Sequence, residues 1–148
     1  MSATPASTLH GLARTSPRLF DDCLLPPETV KIRDEARLFA ERVLAPRAAE
    51  LNSAEESSAV FPRDILQQMA DAGLYAILFR ADVGGRALQY PMLGAATVLE
   101  ELAYFTPAVA SALYDAQALL VGRALDGAPA SVRDEFLPRL IRGEIVGC

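Results

Sequence analysis

The sequence predicts an all-α domain, a bundle of about five helices, and three observations carry that expectation. Apolar residues recur at spacings of three and four along separate stretches of the chain. Proline opens these stretches and glycine closes them. The length of 148 residues is that of one domain, enough to bury roughly 70% of the surface its unfolded form exposes.

Pro26 and Pro27 end a leader, and Glu28 puts an acid in the first turn of helix one, where the helix dipole favours negative charge. Ile32, Ala36, Phe39, Ala40 and Val43 form its apolar stripe; Pro46 is expected to distort or end its tail, and residues 52–58 to form a loop. Pro62 opens a short second helix with Ile65, Leu66, Met69 and Ala72 on one face, and Gly73 closes it in the left-handed C′ position. Residues 74–79 are an apolar run too short to classify by period, and Val83, Gly84 and Gly85 form a turn.

Pro91 opens helix three, whose expected buried face carries Leu93, Ala96, Leu99 and Leu102. Thr106 and Pro107 begin helix four, with Val109, Leu113, Ala116, Leu120 and Ala124 inward and an Ala-rich stretch that a neighbour can approach closely. Gly127, Ala128 and Pro129 end it. Ser131 is the candidate N-cap of helix five, with Asp134 at its N3 position, and Val132, Phe136 and Leu140 are expected to face inward before Gly143 stops it. Ile145, Val146, Gly147 and Cys148 then read as the start of a buried strand.

Composition narrows the partners. A hydrophobic share of 51% with mean hydropathy +0.20 exceeds what one small domain buries, and marks surface meant to be covered by another domain or subunit. A net charge of −5, with Lys31 the single lysine, argues against a nucleic-acid partner. No apolar run reaches the ~18 residues needed to span a bilayer, so no membrane is expected. Cys23 and Cys148 are too few for a disulfide scaffold and point to a reducing compartment. Residues 1–20 are rich in Ser, Thr and Ala, carry Arg14 and Arg18 and lack acids. They are expected to be a disordered leader of a bacterial cytoplasmic protein, with a mitochondrial presequence, and so the mitochondrial matrix, as the alternative.

No residue stands out as catalytic. Glu100 and Glu101 are adjacent, and on a helix adjacent side chains diverge by about 100°, so a structural role such as pairing one of them with an arginine is expected. Gly84 and Gly85 lack the further glycines or lysine of a phosphate loop and are expected to make a tight turn. His10 has no ligand-bearing neighbour, neither cysteine sits by an identifiable base, and Met69 and Met92 are expected to fill the core, so no metal or cofactor ligand is assigned. Tyr114 and Asp115 are more informative: both interrupt a small, apolar helix, where a carboxylate must face solvent or find partners.

Five signatures follow one another: RDEARLFAERVLAPRAAE from Arg33, FPRDILQQMADAGLYAI from Phe61, VGG from Val83, VLEELAY from Val98 and FLPRLIRGEIVGC from Phe136. Their order and spacing resemble the N-terminal helical domain of the acyl-CoA dehydrogenase family, over residues 21–148. Arg80, Ala81, Asp82 and Val83 depart from the usual Pro-Glu-Glu-Tyr lead into the double glycine, and the stretch from Gly127 to Leu137 is one residue longer than usual. The resemblance implies an FAD-dependent enzyme that oxidises acyl-CoA thioesters between the α and β carbons to 2,3-enoyl-CoA.

In that family a β-barrel domain opening on L-T-E-P follows, then a C-terminal helical domain that brings the base, and most flavin contacts come from those parts. The series here stops at Cys148, at the start of that β domain, so this chain alone is expected to be inactive. Its implied partners are acyl-CoA, the remaining β and C-terminal helical domains or a partner subunit, and further copies of itself when complete. By the same resemblance, one wall of the acyl pocket falls on Ala110, Ser111, Tyr114, Asp115 and Ala118. Family members carry small or apolar residues near the position of Asp115, so an inward Asp115 would favour a polar, short or branched acyl group. A flavoprotein oxidase or monooxygenase of the same fold, and a non-catalytic helical binding module, remain the alternatives.

Overall fold

The computed structural model describes residues 24–53 and 62–147. The leader over residues 1–20, with His10, and also Cys23, Cys148 and residues 54–58 of the expected loop lie outside the described residues. The described residues wind into five helical rods with no strand among them, as the sequence predicts. The first rod begins with α1 (Pro27–Phe39) and continues through a π turn (Ala40–Leu44) and a 3-10 turn (Ala45–Arg47) into α2 (Ala48–Ser53). The second and third rods are α3 (Arg63–Asp71) and α4 (Pro91–Ala103). The fourth runs from α5 (Pro107–Val109) through a π segment (Ala110–Gly122) into α6 (Arg123–Asp126), and the fifth is α7 (Ala130–Ile141). Among the described residues no helix is long and apolar enough to cross a membrane.

Starts and stops follow local chemistry. Proline opens α1, α4 and α5, where its fixed φ suits the first turn and its missing N–H costs nothing. Glu28 serves a second helix as well as its own: its Oε1 accepts from the N–H groups of Gln89 (2.9 Å) and Tyr90 (3.3 Å), just ahead of α4. Gly73 and Gly143, at φ +69° and +73°, end α3 and α7 in Schellman geometry. The N–H of Leu74 reaches the Met69 carbonyl and that of Glu144 the Arg139 carbonyl. Helix five starts two residues earlier than expected, at Ala130, so Ser131 sits exposed in the first turn and makes no capping bond.

The buried faces differ from the expected stripes, and winding explains two of the differences. Pro46 deprives the preceding turn of an N–H, and the chain widens to π over Ala40–Leu44 before tightening. Leu44 thereby replaces Val43 as the fully buried side chain, while Val43 is half-buried. Wider winding over Ala110–Gly122 spaces the inward residues by four and five: Val109, then Leu113 and Tyr114, Gln117 and Ala118, and Gly122. Ala116 is consequently half-buried, Ala124 is exposed, and Leu120 is 63% exposed. In α4 the inward side is Ala95, Val98, Glu101 and Leu102, with Leu93 and Ala96 exposed; in α7 it is Leu137, Leu140 and Ile141, with Val132 exposed and Phe136 half-buried.

The run over residues 74–79, all six of them buried, is the centre of the core and contains a 3-10 turn (Tyr75–Leu78). Tyr75 stacks on Tyr114 with ring centroids 6.2 Å apart. The Phe79 ring fills the space above Gly122, where a Cβ would come within 2.6 Å of Cζ. α1 lies along α4, and Arg37 of α1 forks onto Glu101, Nε to Oε2 and Nη2 to Oε1, both at 3.3 Å. Arg86 pairs with Glu35 at 2.6 Å, which ties the loop before α4 back onto α1. Arg47 pairs with Asp64 and ties α3 to the end of the first rod.

Two predictions follow from this packing. Glu101 is 1% exposed, so Arg37→Met, which strips its forked partner, is expected to lower the unfolding free energy by about 3 kcal/mol. Arg37→Met combined with Glu101→Leu should cost clearly less, and urea unfolding of the three proteins measures the difference. An equal cost for the single and double variants would show that the loss does not come from a buried carboxylate deprived of its partner.

Burial pushes the phenols of Tyr75 and Tyr114 well above their ordinary range, and for Tyr114 the nearby Tyr75 adds to the effect. A pKa raised in the folded state contributes stability that is complete below the unfolded value, about 10, and is lost as pH rises beyond it. Unfolding free energy is therefore expected to fall steadily above about pH 10. Tyr75→Phe with Tyr114→Phe should flatten that fall, and an unchanged alkaline slope would contradict the assignment.

Candidate functional site

The rod over residues 107–126 carries all the residues that the sequence suggests for a binding wall, and its winding sorts them into two sets. Ala110, Tyr114 and Ala118 turn into the domain and are buried. Tyr114 is fully enclosed, its ring stacked on Tyr75 and its hydroxyl without a hydrogen-bond partner among the described residues. Ser111 and Asp115 lie four residues apart on the outer side, Ser111 exposed and Asp115 half-buried. The structure thus brings Ser111 and Asp115 together on one surface and sets Ala110, Tyr114 and Ala118 behind them.

That outer surface is short of charge. Pro107, Ala108, Ser111 and Ala112 are exposed, Ala116 and Leu119 are half-buried, and Leu120 stands out furthest. Asp115 is the single carboxylate from Pro107 to Gly122, a stretch that holds no lysine, arginine or histidine. Small side chains let an extended apolar group lie close to the helix backbone, while a carboxylate beside it accepts hydrogen bonds and disfavours apolar atoms that would strip its water.

Glu100 and Glu101 diverge as adjacent helical residues must: Glu100 is exposed, whereas Glu101 is buried and held by Arg37. A flavin pyrophosphate requires converging N–H groups at a helix N-terminus or a glycine-rich loop. α1, α4 and α5 lose a first-turn donor to proline, and the Gly85 N–H is spent on the Arg80 carbonyl at 2.8 Å. Gly84, at φ +89°, completes the tight turn that the sequence suggests. Among the described residues no group of His, Cys, Asp or Glu is placed to hold a metal ion.

One polar residue of this rod escapes the sequence reading altogether. Gln117 lies on the inward side, fully buried, with its amide directed at backbone groups of α7 and of the segment beyond it. Its signal is an amide four residues from Leu113 in an apolar helix, a spacing that shares a face under ordinary helical winding as well.

Comparison with known proteins agrees with this architecture. The sequence is 27% identical over 137 residues to the mitochondrial isovaleryl-CoA dehydrogenase of Arabidopsis thaliana, an alignment covering 91% of this chain and 31% of that protein. The chain therefore spans about a third of that relative's length. Residues 26–144 match the family described as acyl-CoA dehydrogenase, N-terminal domain, and with a helical bundle and that match across most of its length, the chain belongs to this family.

Proposed function

We propose that this chain is the N-terminal part of an FAD-dependent acyl-CoA dehydrogenase, which oxidises acyl-CoA thioesters to 2,3-enoyl-CoA, and that it contributes one wall of the acyl pocket. The family match over residues 26–144 is the observation that carries this reading. The outer surface over residues 107–122, apolar apart from Ser111 and Asp115, supports the second half of it, since that surface suits an acyl chain and leaves the chemistry to other groups. In this assignment Ser111 and Asp115 face the acyl group, and Ala110, Tyr114 and Ala118 hold the helix in place from behind. The base and most flavin contacts lie outside the described residues, and no step is assigned to this chain beyond shaping and orienting the substrate.

Asp115 also bears on the substrate class. A long saturated chain laid across a carboxylate would desolvate it without replacing its hydrogen bonds, so short, branched or polar acyl groups fit better. The name of the Arabidopsis relative specifies isovaleryl-CoA, a short branched thioester, which supports the same class.

The product of the complete reading frame is expected to show a flavin spectrum and to reduce an electron-accepting dye when given acyl-CoA. A purified product without flavin, or inert toward the whole acyl-CoA series, would refute the assignment. In the active protein, Asp115→Ala should shift preference toward longer apolar chains, each added methylene being worth about 1–3 kcal/mol in kcat/KM where it packs well. Steady-state kinetics across a chain-length series measures this, and an unchanged profile would remove Asp115 from the wall.

A further inference from the structure

Gln117 is 1% exposed on the inward side of the π segment, and its amide partners are all backbone groups distant in sequence. Nε2 donates to the carbonyls of Leu140 (3.1 Å) and Ile145 (2.9 Å), and Oε1 accepts from the N–H of Gly147 (2.7 Å). Three of the four hydrogen-bonding positions of a glutamine amide are thereby filled. The Ile145 carbonyl and the Gly147 N–H flank Val146 on one side of the chain, the two groups with which a neighbouring parallel strand would pair. The side chain thus stands where a strand would, and holds residues 145–147 against the helix. Gly147 lies so close that a Cβ there would be 2.6 to 2.9 Å from all three side-chain carbons of Val121.

We propose that Gln117 is a positioning residue. Resting on the function proposed above, it fixes the segment leaving the domain against the same helix whose outer side carries Ser111 and Asp115, so that the acyl wall and whatever follows Cys148 are held in one register. The proposal differs from a general packing role because it depends on two donors and one acceptor, and not on volume.

The test uses the product of the complete reading frame and two variants. Gln117→Met preserves length and bulk but removes all three bonds. Gln117→Glu keeps the acceptor for the Gly147 N–H and can donate to a carbonyl only when protonated. Hydrogen exchange at the Gly147 amide is expected to be about tenfold faster or more in Q117M, the size of one buried hydrogen bond left unmade. With butanoyl-, isovaleryl- and octanoyl-CoA, kcat is expected to fall about tenfold or more while KM stays within about twofold, since the loss is one of alignment. In Q117E both properties should recover as pH falls, whereas the deficit of Q117M should be the same at every pH.

Unchanged exchange at Gly147 in Q117M overturns the proposal, as does an unchanged kcat where the wild type is active. A wild type that oxidises none of the three thioesters refutes the proposed function instead, and the exchange rate alone then decides for or against the clamp. Should Q117M not fold, Gly147→Ala takes its place: its methyl must displace Val121 and speed exchange at position 147, and adding Val121→Gly, which removes all three of the crowded carbons, must restore protection. Failure of either step overturns the proposal.

Discussion

The fold depends on the burial of an irregular segment. Residues 74–79 are apolar enough to be driven to the centre, yet they form only a 3-10 turn, which leaves carbonyls that must be satisfied away from water. The following loop supplies the donors, with the Arg86 N–H on the Ala76 carbonyl at 2.8 Å and the Ala87 N–H on that of Phe79 at 3.0 Å. To deliver them the chain must fold back at once. Gly85 then lies so near the Phe79 carbonyl that a Cβ would be 2.0 Å from its oxygen, and Ala87 is forced to φ +51°. The same return brings Arg86 to Glu35 and the N–H groups of Gln89 and Tyr90 to Glu28, so α4 starts where it can lie along α1. The VGG signature is thus the outward sign of a hydrogen-bonding debt inside the core.

Much of this is legible in the sequence because it is local. Pro27, Pro91 and Pro107 mark helix starts, Gly73 and Gly143 mark stops, and the divergence of Glu100 from Glu101 follows from helix geometry alone. The faces of the helices are less legible because they depend on how tightly the chain winds. A stripe spaced for an α-helix is right for Ile32, Ala36, Phe39 and Ala40, then slips by one residue at Leu44 and by more beyond Leu113. In α4, where the winding is regular, Leu93 loses its expected place because its side of the helix faces outward at Tyr90 and Met92, which are also exposed. Nothing in the local pattern distinguishes an apolar side that meets the core from one that does not.

The candidate wall shows the same division. Family resemblance points to one helix, but assigning its residues to one surface assumes a winding that the helix does not have. Tyr114 and Asp115 are adjacent in sequence and opposite in role: one is a core side chain, the other an outer one. Gln117 shows the converse, a polar residue on the inward face, four residues from Leu113, held there by its backbone partners.

The π segment has a further consequence, for tolerance of length change. In an α-helix, losing one residue rotates everything downstream by about 100° and would turn Gly122 away from Phe79. A helix whose N–H groups reach five residues back instead of four stores extra chain in each turn. One wide turn can narrow and absorb a deletion while the residues at either end keep their directions. The long π segment is therefore a part of this bundle where loss of a single residue is structurally cheap, because what its two ends touch need not change.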